Sequence, residues 1–347
     1  MEVPQHWVRV DGHSPHLGRR GGRVSVWGWS SESDAGAEEV GRRRLAETLE
    51  RIEREGGLPP GHGYYPRTPL REPLLEEVAG ADGRRLGVVT RNRMGCEVLC
   101  TDVLFVADVD VPELADEPRP ERGAERRSSG GVGRFIRRVV LGRPDPTPMA
   151  PGAQDASGLD APAEPVSSVA AGYAAYPSLP GEGARVTATG PSTPSVAESL
   201  ACEPAWEFAR LHPDLGVRVY RTAAGLRVLV TGADAGPASD TARALLTELR
   251  SDPLYVELCS THDSYRARLT PKPFRVGVPA LGVRWPCPDD AAERGWLRWV
   301  DRYDEASAGA SVCRLLSASG PVPSADEQAL VELHDERTGV GSRLPLA

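Results

Sequence analysis

The chain has 347 residues, with 41 Lys and Arg against 49 Asp and Glu and a formal net charge of −8 at pH 7. Its length suits one large domain or two ordinary ones, and its acidic balance excludes attraction to nucleic acid by the overall field, so that such a contact needs a local basic patch. No apolar run approaches the roughly 18–20 residues of a membrane span, and the polar opening stretch lacks the apolar core of a signal peptide. The expectation is a cytoplasmic chain with no transmembrane segment, whose six cysteines (Cys96, Cys100, Cys202, Cys259, Cys287 and Cys313) are reduced and buried.

Residues 23–29 (RVSVWGW) alternate as a strand does, with Trp27 and Trp29 on one face. The run SSESD supplies N-cap candidates for a helix over 34–55, where Val40, Leu45, Leu49 and Ile52 form one stripe. Residues 85–93 (RLGVVTRNR) read as a strand and Gly95 as a turn. Residues 96–110 (CEVLCTDVLFVADVD) begin with a return strand and continue into an apolar run suited to burial on both faces. From about 114 to 201, Pro, Gly, Ala and Ser dominate and no apolar period survives, the signature of a disordered insertion. Within it, residues 133–143 (GRFIRRVVLGR) predict a short basic amphipathic helix. Phe135, Ile136, Val139 and Val140 lie on one side, with Arg134, Arg137, Arg138 and Arg143 around them. Such a helix suits a protein partner, a membrane surface or nucleic acid, or simply docks on the chain's own core.

The pattern resumes at Trp206. Residues 217–221 and 226–231 predict a hairpin bending near Gly225. Ser239 opens a helix to about 250, and Asp252 with Pro253 opens a second to about 259. Residues 265–269 read as a strand, Trp296, Trp299, Val300 and Tyr303 mark an amphipathic helix, and Ser324 with Glu327 forms a capping box for a last one. The predicted fold class is α+β: a mainly antiparallel central sheet with packed helices, of palm or RRM type, interrupted by the long insertion. Residues 1–113 hold too few elements to close a core, so they and 202–347 are expected to build one composite domain.

Asp108 and Asp110 carry the strongest chemical signal. Alternation sets both carboxylates on one face at the end of a buried strand, an arrangement whose mutual repulsion Mg²⁺ or Mn²⁺ relieves. The equally simple alternative is a strand emerging into solvent. Residues 262–275 (HDSYRARLTPKPFR) gather Arg266, Arg268, Lys272 and Arg275 around one acid, Asp263. They suit polyphosphate or a nucleic-acid backbone, with Phe274 or Tyr265 for stacking, or else a set of solvated and salt-bridged arginines. Lys272, the only lysine in the chain, stands between Pro271 and Pro273. Arg227 lies on an otherwise apolar strand and needs an acid such as Asp108 or Asp110. Asn92, the only asparagine, sits between two arginines in a tight turn (TRNRMG), as a phosphate contact or a turn former. His334 and Asp335 are a further candidate pair near the C-terminus.

VLFVADVD followed by YRTAAGLRVLV resembles, in order, the catalytic core of archaeo-eukaryotic-type primases and primase–polymerases. The resemblance covers about 85–125 and 205–275. It implies a metal-dependent nucleotide- or nucleic-acid-binding palm with nucleotidyl or phosphoryl transfer, with Asp108 and Asp110 as metal ligands and Asp263 as the third acid. On this reading Arg227, together with Arg266, Arg268 and Lys272 of the basic run and Asn92 of the turn, would hold nucleotide or nucleic-acid phosphates. Where that family places a nucleotide-binding His, this chain has Arg227. The other reading is a non-catalytic binding or regulatory protein in which the Asp and Arg residues form a structural network.

Overall fold

The computed structural model describes residues 2–17, 21–55, 69–114 and 194–347. Most of the expected insertion, including the helix expected at 133–143, lies outside the described residues. In chain order the elements are β1 (His6–Ser14), β2 (Gly22–Ser30), α1 (Asp34–Glu55), β3 (Leu74–Ala79), β4 (Arg85–Arg91), β5 (Glu97–Thr101) and β6 (Phe105–Asp110). After residue 194 come α2 (Val196–Leu211), β7 (Gly216–Thr222), β8 (Gly225–Thr231), α3 (Asp240–Glu248), α4 (Pro253–His262), β9 (Tyr265–Arg268), α5 (Asp290–Ser307), β10 (Cys313–Ser319) and α6 (Ala325–Arg337).

The fold is α+β, and its described strands form three antiparallel sheets. β1 and β2 make a two-stranded sheet covered by α1, with Val24, Val26 and Ile52 in its small core. Trp27 and Trp29 point the other way, and Trp29 meets Trp7 at 5.8 Å between ring centroids. Helix and sheet approach closely at Gly28, where a Cβ would stand 1.9 Å from the Ala37 carbonyl oxygen.

The single central sheet expected from the sequence is instead two four-stranded sheets, ordered β3-β4-β5-β9 and β10-β7-β8-β6. The chain breaks between them at residues 102–104. There the Thr101 hydroxyl donates to the Leu86 carbonyl and accepts from the Val103 N–H, which turns β6 out of the sheet that β5 belongs to. β5 pairs with β9 and β6 with β8, so each sheet draws strands from both sides of residues 115–193. One hydrophobic core joins the two, from Leu86, Val89 and Leu99 through Phe105 and Tyr265 to Val228, Val230 and Leu330.

The caps at Ser239, Asp252 and Ser324 lie where the sequence placed them. α2 begins ten residues before the expected restart at Trp206, with a capping box of Ser195 and Glu198. Its Ala, Ser, Glu and Pro residues match the composition of the stretch before it, and Pro204 sits within the helix. β1, β3 and β10 were not predicted. β1 and β3 are half-exposed and mix charges into their alternation, and β10 is irregular at Leu315.

Two glycines test this packing. Gly28→Ala should lower stability by about 1–3 kcal/mol, because the new methyl collides with backbone. Gly295→Ala, inside α5 with open space at its Cβ, should raise it by about 0.5–1 kcal/mol. Chemical denaturation of the two variants measures both.

Candidate functional site

β8 is buried along its whole length, yet it carries Arg227, the largest fully buried side chain among the described residues. Strand register explains how the charge is held. Arg227 lies directly opposite Asp108 of β6 on one side and Tyr220 of β7 on the other, so all three share one face of the sheet. Arg227 Nε donates to Asp108 Oδ1 at 2.8 Å and Nη2 to Oδ2 at 3.3 Å, a two-point clasp. Nη1 donates to the Arg268 carbonyl at 2.8 Å and reaches His334 Nε2 at 3.4 Å. Burial alone would raise the Asp108 carboxyl, but the Arg227 charge and hydrogen bonds outweigh it and hold the group below the usual carboxylate range.

The network continues to the C-terminal helix. His334 is fully buried, and its Nδ1 lies 2.9 Å from Asp335 Oδ1. With Nδ1 protonated and donating to Asp335, Nε2 is free to accept from Arg227. Burial lowers the imidazole below its ordinary value and Arg227 pushes the same way, which keeps the ring neutral. Arg218 closes the network, donating to the Tyr220 hydroxyl at 3.0 Å and to Asp335 at 3.4 Å. Cys313 Sγ stands 3.8 Å from His334 Nε2, so thiol, imidazole and carboxylate follow one another as in a cysteine nucleophile. Burial defeats that chemistry, since Cys313 is 1% exposed and its thiol is pushed up to about 11.

Arg266 is likewise engaged. It grips buried Glu72 at 2.8 and 2.7 Å, and Thr90 donates to the same carboxylate at 2.6 Å. Arg227 and Arg266, expected as phosphate contacts, are therefore buried partners of carboxylates. Asn92 is a turn former: its Oδ1 accepts from the N–H groups of Met94 and Cys96. Asp263, expected as the third acid, caps the C-terminal end of α4 with φ 47°. The opposite end of that helix is what docks on Asp108, through Asp252 N–H to the Asp108 carbonyl. Ten residues of helix, about 15 Å, thus separate Asp263 from the pair it was to complete. Tyr265 is buried and its hydroxyl donates to the Ala235 carbonyl, so it offers no stacking face. Both Asp108 oxygens are occupied by Arg227, and among the described residues no three His, Cys, Asp or Glu side chains gather as a metal-ligand set. These residues do not fit a divalent cation held by Asp108 and Asp110.

What remains is a cationic cluster. Asp110 stands at the exposed end of β6 opposite Gly225, which has no side chain to cover it. Arg268, Lys272 and Arg275 are half-buried, and their side chains have no acidic partner at ion-pair distance among the described residues. They act on one another: burial first, then Arg268 and Arg275, bring the Lys272 amine down to about 8, against an opposing pull from Asp110. The backbone there is fixed. Tyr303 donates to the Pro271 carbonyl, the Cys96 thiol donates to it at 3.4 Å, and Arg275 N–H donates to the Lys272 carbonyl at 2.9 Å. Phe274, 54% exposed, lies alongside with the Arg275 guanidinium 5.8 Å from its ring centroid.

Of the residues singled out by sequence, the structure brings Asp108 to Arg227 and collects Asp110, Arg268, Lys272 and Arg275 in one region. Glu72 and Cys313 had no sequence signal, because each matters only through a partner far along the chain. The cysteines are all free, five of them buried. No described helix is long and apolar enough to cross a membrane. Comparison with protein-family models, curated proteins and solved structures returned no match.

Removing one partner of the buried pair should cost far more than removing both. Arg227→Met or Asp108→Asn alone should lose about 3–5 kcal/mol, and the double variant much less than the sum. Urea denaturation of the four proteins measures the coupling. Lys272 gives an opposite pH signature. Its folded value of about 8 lies below the ordinary lysine value of about 10.4. Between the two, the unfolded chain holds a proton that the folded one has released, so stability rises with pH. Melting curves from pH 7 to 10 should show that rise in wild type and its loss in Lys272→Met.

Proposed function

We propose that the chain binds a phosphate-bearing ligand, a nucleotide or a stretch of nucleic-acid backbone, through Arg268, Lys272 and Arg275. It does so as a binding protein, with the Asp108–Arg227 pair serving the fold. The observation that carries this reading is the set of three half-buried cations left without acidic partners around one lysine. Burying like charges together is costly unless something of opposite charge arrives. A phosphate group supplies that charge, with acceptor oxygens that match guanidinium donors. Exposed Phe274 offers a face on which a base can stack.

The metal-dependent transfer implied by the primase resemblance requires Asp108 to exchange Arg227 for Mg²⁺ or Mn²⁺. The bidentate clasp and the burial of Arg227 weigh against that exchange.

Thermal melting with adenosine triphosphate or a short single-stranded oligonucleotide, each with and without Mn²⁺, tests the proposal. Ligand at about a hundredfold excess over its Kd should stabilise the fold by about 2.7 kcal/mol, without Mn²⁺. Arg268→Gln and Arg275→Gln should each weaken binding about tenfold, and affinity should fall as pH rises through 8, where Lys272 loses its charge. Stabilisation that requires Mn²⁺, or none at millimolar ligand, would overturn the proposal.

A further inference from the structure

The helix α2 presents two unlike sides. One packs on the core through Cys202, Ala205 and Phe208. The other carries Val196, Leu200, Glu203, Glu207 and Leu211, all exposed and spaced four, three, four and four residues apart. At 3.6 residues per turn these positions form one stripe along the helix. Its aliphatic members stand in water: Val196 is 79%, Leu200 62% and Leu211 53% exposed. Its acids are short of partners, since Glu203 has no ion pair among the described residues and Glu207 pairs with Arg210 of its own helix. The orientation is fixed. Ser195 and Glu198 cap the helix, Arg314 donates to Glu198, and Trp206 Nε1 donates to the Ser317 hydroxyl at 3.0 Å.

The charges on this stripe select what can cover it. A second copy fits badly, because a parallel pair sets each Glu against itself and an antiparallel pair centred on the stripe brings the two Glu203 side chains together. A basic amphipathic helix satisfies both the aliphatic and the acidic positions. The chain encodes one at 133–143, with Phe135, Ile136, Val139 and Val140 on one side and Arg134, Arg137, Arg138 and Arg143 around them. The attachment points of residues 115–193 also lie at α2. At one end, the turn Pro112–Leu114 packs against α2, and the Leu114 carbonyl accepts from Arg221. At the other, Pro194 directly precedes the Ser195 cap. Residues 115–132 span at most about 60 Å, well beyond the roughly 24 Å length of α2. A tethered segment acts at an effective concentration of order millimolar, so a weak interface is enough. We propose that residues 133–143 dock as a helix on the exposed stripe of α2. Their apolar side meets Val196, Leu200 and Leu211, and their arginines lie beside Glu203 and Glu207.

Hydrogen–deuterium exchange of the full chain, resolved by peptide mass spectrometry, tests the docking. Amides of 133–143 should exchange at least about tenfold more slowly than in a synthetic peptide of the same sequence. Leu200→Gln should remove that protection, and so should Glu203→Arg combined with Glu207→Arg, while circular dichroism stays native. Arg137→Glu with Arg138→Glu should also remove it, and leaves α2 itself untouched. Combining both charge reversals should restore protection, which damage to α2 would not allow. Wild-type exchange at the rate of the free peptide, or protection that the α2 variants leave unchanged, sinks the proposal. Protection that appears only as the chain dimerises, followed by sedimentation velocity over a range of concentrations, sinks it too and assigns the stripe to a second copy.

Discussion

One guanidinium group ties this fold together. Arg227 sits in the middle of a strand with no exposed residue and reaches three other elements: Asp108 on β6, the Arg268 carbonyl on β9 and His334 on α6. It therefore joins the two four-stranded sheets to each other and to the C-terminal helix. A buried ion pair contributes little net stability over a well-packed apolar pair. Its larger effect here is on register. Sliding β8 by one residue would turn Arg227 to the opposite face and leave both charges unpaired.

That commitment decides what chemistry is left. Asp108 and Arg227 satisfy each other, and Glu72 and Arg266 do the same on the neighbouring sheet. Arg266 and Arg268 share one face of β9, but among the described residues only the first meets a carboxylate at ion-pair distance. Arg268, Lys272 and Arg275 bring three half-buried cations together with no acidic partner at ion-pair distance among the described residues. Asp110 opposes their charge, as Asp108 does at Arg268, and the Asp110 carboxyl is raised by partial burial and by Asp252. A chain with a net charge of −8 thus carries a local group of cations outside its fold-stabilising ion pairs.

The same contrast separates the cysteine, histidine and aspartate of the interior from a working nucleophile. Cys313, His334 and Asp335 stand in the right order, but the thiol and imidazole are buried and their spare donors and acceptors, with those of Asp335, are used by Arg227 and Arg218. Proximity without access makes a structural network. Lys272, held half-buried between two prolines, has no such partners among the described residues.

The helices and their starts were legible in the sequence because their determinants are local. Ser324 and Glu327 lie three residues apart, and Trp296, Trp299 and Tyr303 repeat at the helical period. The α+β class, the hairpin of β7 and β8 and the buried character of β6 were legible for the same reason. The basic run ending at Arg275 could also be read directly. What the sequence left open was which charges meet. Asp108 and Arg227 are 119 residues apart, and Arg266 and Glu72 are 194 apart. Nothing local distinguishes an arginine that will find a carboxylate from one that will not. Only the pairing of distant strands, and the bend at residues 102–104 that made two sheets from one expected sheet, assigned Asp108 and Arg227 to the core and left Arg268, Lys272 and Arg275 with charge to spare.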